Sequence, residues 1–522
     1  MNEIEFNLLD KPWILVLRED GTAEEVSITE AFRHAHKIRS LAGELSAQDL
    51  AVMRMLLAIL YAVYLRMDQD GNESEIEDED EAVERWKALW DKKKFDIDQI
   101  ERYLDQYKER FWLFHPKVPF YQAVIDKGTR YSASKLIGEL SESENKLRLF
   151  GNRSGDGKTS IDYAEAARWL IYLNAFDDTS SKPTVRGEGL PSSGAGWMGK
   201  LGLIYSEGNN LFETLMLNLV MTDYNGEPFV DGKAFWESEP SIEERVNIPI
   251  PGSPIEMLTL QSRRILLERD GEEVTGYRLM GGDIVQKENA LVEQMTVWRK
   301  NDEDMWTPKR HDPSRLMWRD FSAIVSKSEG SLKPGVVRWA STLVRRGFFP
   351  YDHVTFRIGG VKYANKDFFA EDFIDDAMSF NSELLGNLGE SWTLRIVDAI
   401  GRTEKCVFFF GNYAKGLSIE SGNDPEGNSV KQASEYAKSL AYYSLDGPFR
   451  KWLFSIDPGK DDEEERLNEW MENVYSTIVN ELGERLFREA GVKALIGRSM
   501  DNNSISKFRL LRNSVRKAIR GE

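Results

Sequence analysis

The sequence has a single cysteine, Cys406, among 522 residues. An internal disulfide and a cysteine-based zinc cage are therefore excluded. Histidine is nearly as scarce: His34, His36, His115, His311 and His353 are the whole set. None stands in HExxH or HxxxH spacing, and residues two apart, such as His34 and His36, face different sides of a helix. There is no GxSxG elbow. No metal site, cofactor site or catalytic residue is expected. Long apolar runs are missing too. The most apolar window, Leu50 to Leu65, is shorter than a bilayer span and contains Arg54, so it reads as a buried core helix. Met1-Asn2-Glu3-Ile4-Glu5 lacks the positive and apolar regions of a signal peptide. With one cysteine, this leads us to expect a cytoplasmic chain without membrane contact.

Positive charge is also short. Lys+Arg number 68 against 87 Asp+Glu, a formal charge of −19, which argues against nucleic-acid binding as a bulk property. The acid is concentrated. Asp68 to Glu84 holds ten acids and no base, and Asp461 to Glu465 holds five more. With those fifteen set aside, −19 becomes −4. Both runs read as solvated loops. The last turns are basic instead: Lys507, Arg509, Arg512, Arg516, Lys517 and Arg520.

What is present is an α+β pattern. Trp13–Leu17, the turn Asp20-Gly21 and Glu25–Ile28 form a hairpin. Ser46 is placed to cap the next helix, with Asp49 in the capping-box position. Ala82–Lys93 and Ile97–Arg110 have helical periodicity, and Tyr163–Leu173 is a helix between two glycine-rich loops. Beyond residue 367 long helical patterns dominate, at Phe368–Gly386, Leu394–Phe410, Val430–Ile456, Arg466–Ala490 and Asn503–Arg520. We expect a large mixed α/β domain over 1–366, then an all-α four-helix bundle over 367–522. Cys406 reads as an inert core thiol and His115 as a structural hydrogen-bonding residue. Tyr436, Tyr442, Tyr443, Phe449, Trp452 and Phe454 read as bundle packing.

Three glycine-rich segments carry the chemistry. Gly155-Asp156-Gly157-Lys158-Thr159-Ser160 approaches a phosphate-cradling loop, but the required first glycine is one place off, at Gly151. Asn145 to Phe150 is too polar for the buried strand that should precede it. The segment is better read as a loop whose amides and Lys158 meet nucleic-acid phosphates. An NTPase using Lys158 and Thr159 stays open as an alternative. Gly194-Ala195-Gly196-Trp197-Met198-Gly199-Lys200 is a second loop in which backbone can approach a ligand. Gly359-Gly360-Val361-Lys362-Tyr363-Ala364-Asn365-Lys366 is expected to be a short turn suited to groove insertion.

The order of these motifs resembles the CasA family, the large subunit of the type I-E CRISPR surveillance complex, Cascade. The likeness runs through Phe6-Asn7-Leu8-Leu9-Asp10-Lys11-Pro12-Trp13-Ile14, Phe114-His115-Pro116 to Gln122, Phe150-Gly151-Asn152, the Gly194–Lys200 loop, Gly359-Gly360 and Asp446-Gly447-Pro448-Phe449-Arg450. It implies a non-enzymatic subunit that reads the PAM of target double-stranded DNA, helps open the duplex, holds the 5′ handle of the guide CRISPR RNA and licenses a helicase–nuclease. Other Cascade subunits would be its partners. By that resemblance Phe150, Asn152 and the loop after them fall near the guide end and PAM-proximal DNA. Gly194, Gly196 and Gly199 would form the PAM-facing loop. Tyr363, Ala364 and Asn365 fall at the duplex-opening wedge, while Lys158, Lys200, Gly359, Gly360 and Lys362 are candidate contacts from the loops themselves. The chain departs from some relatives in having Asn365 where they carry glutamine, and no cysteine cluster over Glu268 to Gly276. Lys287 is nearest by order to the family's PAM-contacting lysine. A scaffold that binds only proteins remains a third reading.

Overall fold

The computed structural model describes residues 4–142, 153–180, 182, 193–241, 244–325, 330–364, 366, 369–499 and 501–522. It falls into two compact units. The first comprises Met1–Arg315, Lys327–Leu343 and Thr355–Ala377, and the second Leu316–Ser326, Val344–Val354 and Met378–Glu522. The last passage between them lies in the strand Ala370–Asn381, just after the boundary expected near residue 367.

The first unit is built from small sheets around one helix, Ser46–Tyr64. Nearly every side chain of that helix is buried, Arg54 included. It is the one described helix apolar and long enough to span a bilayer, and it is enclosed by the unit. The opening hairpin pairs Ile14–Arg18 with Ala23–Val26 in antiparallel register. Ser46 does not cap the helix. The Asp49 carboxylate instead accepts the Gly43 N–H at 2.8 Å and closes the preceding turn.

Neither acidic run is wholly a loop. Asp78 caps Glu79–Asp91 by accepting the Glu81 N–H. Asp462 caps Glu463–Tyr475 by accepting the amides of Glu464 and Glu465. Carboxylates in a first helical turn offset its unpaired N–H groups and positive dipole end, which like-charge repulsion alone does not anticipate.

The three-stranded sheet that frames the candidate site joins Leu203–Glu207, His353–Tyr363 and Ala370–Asn381. Two expectations fail here. Gly359 and Gly360 lie inside the strand His353–Tyr363, not in a turn. A Cβ on Gly359 would stand 2.2 Å from Leu50 Cδ1, so this glycine lets the core helix pack against the strand. The helix expected over Phe368–Gly386 is, from Ala370 to Asn381, a strand. Ala370, Ile374, Met378 and Phe380 are its buried residues. Apolar residues four apart satisfy both a 3.6-residue and a two-residue period, and strand pairing decides between them.

The second unit is helical. Gly389–Glu420 packs against Asn428–Ser455, Glu463–Tyr475 and Ser504–Ile519. The helix expected over Arg466–Ala490 continues through a π-helical stretch, Ser476–Gly483, into Glu484–Glu489. Its core is aromatic. Phe449 stacks on Trp318 at 4.4 Å between centroids and meets Trp470 edge-on at 5.1 Å. Cys406 is fully buried, and burial pushes its thiol up to about 12. Tyr436 and Tyr443 are exposed rather than packed, and the half-exposed Phe454 stacks on the His353 ring at 4.0 Å between centroids.

Candidate nucleic-acid interface

Residues 193–200 lead through a tight turn, Met198–Lys200, towards the strand Leu203–Glu207. The three glycines have different reasons. Gly194 has φ +64°, which only glycine adopts freely, and space beside it. A Cβ on Gly196 would stand 2.4 Å from the Ala175 carbonyl oxygen. One on Gly199 would stand 2.3 Å from the Tyr363 hydroxyl. Two of the three glycines thus serve close packing against the protein's own interior.

The middle of the loop is anchored from below. Trp197 is buried. Its indole N–H donates to Glu293 Oε2 at 2.9 Å, and its backbone N–H donates to the Ser262 hydroxyl at 3.2 Å. Glu293 is also held by Arg54 in a bidentate pair at 2.8 and 2.7 Å. Burial pushes the Glu293 carboxyl up, but the Arg54 charge and the hydrogen bonds from Arg54, Trp197 and Met295 outweigh it and hold the group below its ordinary value.

The start of the loop is anchored by a second buried network. Arg263 donates to the Asp177 carboxylate at 2.5 Å and to the Gly194 carbonyl at 2.7 Å. The Asp177 carbonyl accepts the Gly196 N–H at 2.9 Å. Lys182 bridges Asp177 at 2.9 Å and Asp178 at 3.2 Å, and Lys135 pairs with Asp178 at 2.8 Å. These five charges are almost fully buried.

At the end of the loop the charge is positive. Burial, then Arg263, Lys287 and Arg310, push the Lys200 ammonium down to about 8, with Glu288 opposing them. Lys200 is half-buried with its ammonium 5.7 Å from the Trp197 ring centroid, and Lys287 is exposed. Among the described residues neither lysine makes an ion pair. Lys287, placed only by order in the sequence, is thus within electrostatic reach of Lys200.

The hairpin end lies against the same segment. Tyr363 is buried; its hydroxyl donates to the Phe176 carbonyl at 2.6 Å. The Arg310 guanidinium sits 5.5 Å from its ring centroid. Tyr363 is therefore a support, not an exposed wedge. Beyond it Ala364 is half-buried and Lys366 is exposed, and the Lys366 carbonyl accepts the Thr179 hydroxyl at 2.5 Å. Lys362 is exposed and pairs with Glu371 at 2.9 Å. Gly359 and Gly360 are buried well inside the strand. Phe150, Asn152 and Asn365 lie outside the described residues.

Lys158 stands in a single helical turn, Asp156–Thr159, and pairs at 2.9 Å with the buried carboxylate of Glu142. Asp162 then caps a separate helix, Tyr163–Phe176. A phosphate-cradling loop would run directly into its helix with the lysine open; here the lysine is closed. Sequence reasoning missed Arg263, Asp177, Asp178, Lys182, Lys135 and Glu293, whose partners are mostly far off in the chain. Arg54 alone carried a signal, because a charge inside an apolar helix requires a partner.

A mixed α/β unit followed by a helical unit is an architecture already seen in solved structures. Cse1 of Thermobifida fusca superposes with a TM-score of 0.84 at 30% identity, covering 99% of this chain and 98% of that one. A chain of a CRISPR RNA-guided surveillance complex shares the fold at 18% identity, with a TM-score of 0.71 over 98% of this chain and 99% of its own. The CasA/Cse1 protein of Thermus thermophilus is 31% identical over 337 residues, which span 63% of this chain and 61% of that protein. The family model for CRISPR-associated protein Cse1 matches residues 7–480. The chain belongs to the Cse1 (CasA) family, as the order of its motifs suggested.

Proposed function

We propose that the chain is the large, non-catalytic subunit of a type I-E Cascade, where it reads the PAM of target double-stranded DNA. The observation that carries this reading is the anchored glycine loop ending at Lys200, with Tyr363 of the hairpin against Gly199 and the charges of Lys287 and Arg310 acting on Lys200. Guide pairing supplies the long sequence match, so the protein need read only a short duplex motif. Gly194 and its neighbours present backbone to a groove, and the lysines meet phosphate or base edge. The hairpin tip beyond Tyr363, with Lys362 and Asn365, opens the duplex at a cost of about a few kcal/mol per base step. Phe150 and Asn152 hold the guide's 5′ handle. Residues 1–366 carry the nucleic-acid contacts. The helical unit that ends in Met378–Glu522 faces the other subunits and the helicase–nuclease, in the cytoplasm.

Lys200→Ala with Lys287→Ala should weaken target-DNA binding by the assembled complex about tenfold or more at fixed salt, and lower the salt slope by about 2, while guide assembly stays intact. Wild-type affinity in a gel shift would sink the interface. The NTPase alternative is disfavoured by the Lys158–Glu142 pair; ATP turnover abolished by Lys158→Ala would restore it.

A further inference from the structure

Three glycines in six residues would leave a free loop many backbone shapes. Reading a groove by backbone requires one shape, and ordering it only on binding would weaken the contact. Two buried charged groups already fix it. Glu293 accepts four hydrogen bonds: Oε1 takes Arg54 Nη1 and the Met295 N–H, and Oε2 takes Arg54 Nη2 and the Trp197 indole. Its capacity as an acceptor is filled. Arg263 is used nearly as fully. Its Nε goes to Asp177, Nη1 to the Ser262 carbonyl, and Nη2 to the carbonyls of Gly194 and Asp178. The Arg54, Glu293, Arg263 and Asp177 side chains are at most 2% exposed.

A buried ion pair is a weak device for stability alone, because apolar replacements of equal volume often do as well. Directional hydrogen bonds do what apolar packing cannot: they hold one carbonyl and one indole at set positions. Both clamps send such a bond into the loop, to Trp197 and to Gly194. We propose that Arg54–Glu293 and Arg263–Asp177 are positioning groups that hold residues 194–200 in the backbone shape that reads the DNA motif. They touch no DNA themselves and act through the loop. This rests on the DNA-reading function proposed above.

The gentlest probe is Trp197→Phe, which keeps a buried ring and removes one donor, leaving Glu293 paired with Arg54. Asp177→Asn is the second probe, at the other clamp. Hydrogen exchange on the full chain should show the amides of Gly196, Trp197 and Lys200 exchanging about tenfold faster in either variant, the order of one lost hydrogen bond to a charged group. Exchange as slow as in wild type in both variants overturns the proposal. In complexes assembled with guide RNA, a guide-matched duplex flanked by randomised base pairs should show motif enrichment reduced about tenfold, with the salt slope unchanged because phosphate contacts persist. Looser exchange with wild-type enrichment also overturns it, since the clamps would then be structural only. If the wild-type complex shows no motif preference at all, the DNA-reading function fails, while the exchange result still reports on the clamps.

Discussion

Glu293 of the first unit and Phe449 of the second are equally buried, at 2% and 0% exposure, yet they hold their surroundings differently. Glu293 is gripped by four directional hydrogen bonds from three residues. Phe449 lies among the rings of Trp318, Trp452 and Trp470. Ring packing is only weakly directional, spread over many small contacts, and yields by small shifts. A hydrogen-bonded carboxylate in a low-dielectric interior does not yield; it keeps its partners or loses them. The first device suits a loop that must keep one shape, and the second suits a body of helices.

Removing one partner from each tests that contrast most severely. Glu293→Ala leaves the Arg54 charge buried and unpaired and should destabilise the chain by about 3–5 kcal/mol. Phe449→Leu keeps an apolar side chain among the tryptophans and should cost about 1–2 kcal/mol. Denaturant unfolding of the full chain measures both. A Glu293→Ala chain as stable as Phe449→Leu would break the comparison.

A smaller expected effect would separate the units by how each meets DNA under the proposed function. Along the last helix and its C-cap, Arg509, Arg512, Arg516 and Arg520 are all exposed and recur three or four residues apart, a ladder about 16 Å long at 1.5 Å per residue. Arg516 lies over the Tyr475 ring at 5.8 Å. If this face meets a nucleic-acid backbone, Arg509→Ala with Arg512→Ala should weaken binding evenly across motifs and lower the salt slope by about 2. Loop substitutions should change which motif is chosen. A change in motif preference from the helix variant would erase the distinction.

The two units were unequally legible in the sequence. Long helices with regular apolar spacing are local objects, and Asn428–Ser455 and Ser504–Ile519 fall within two residues of the spans read from periodicity. The strand Ala370–Asn381 was not legible, because its buried residues sit at spacings both periods allow. The glycine loop was visible as composition, but its cause was not. Gly196 and Gly199 face Ala175 and Tyr363, contacts that exist only once distant segments meet. Arg263 and Asp177 stand 86 residues apart, and no local pattern announces such a pair. The acidic runs misled in the other direction, since repulsion predicted loops where helix ends use the charge.

The subtlest expected effect belongs to Lys200 and sharpens the contrast by pH. Burial and then the charges of Arg263, Lys287 and Arg310 hold its ammonium near 8, with Glu288 opposing. Between about 8 and the ordinary lysine value the unfolded chain keeps this proton and the folded chain has lost it. Stability from this group therefore rises with pH across that window. DNA affinity runs the other way. A phosphate beside Lys200 favours the charged form, so binding takes up a proton once pH exceeds about 8, and affinity should fall about tenfold from pH 7 to pH 9. Lys200→Arg keeps its charge throughout and should bind with little pH dependence. Arg512→Ala, in the other unit, should leave the wild-type pH profile intact. Titrating target affinity of the assembled complexes over that range decides the matter. A wild-type profile as flat as that of Lys200→Arg would remove Lys200 from the interface, leaving Lys287 and Arg310 to carry the charge.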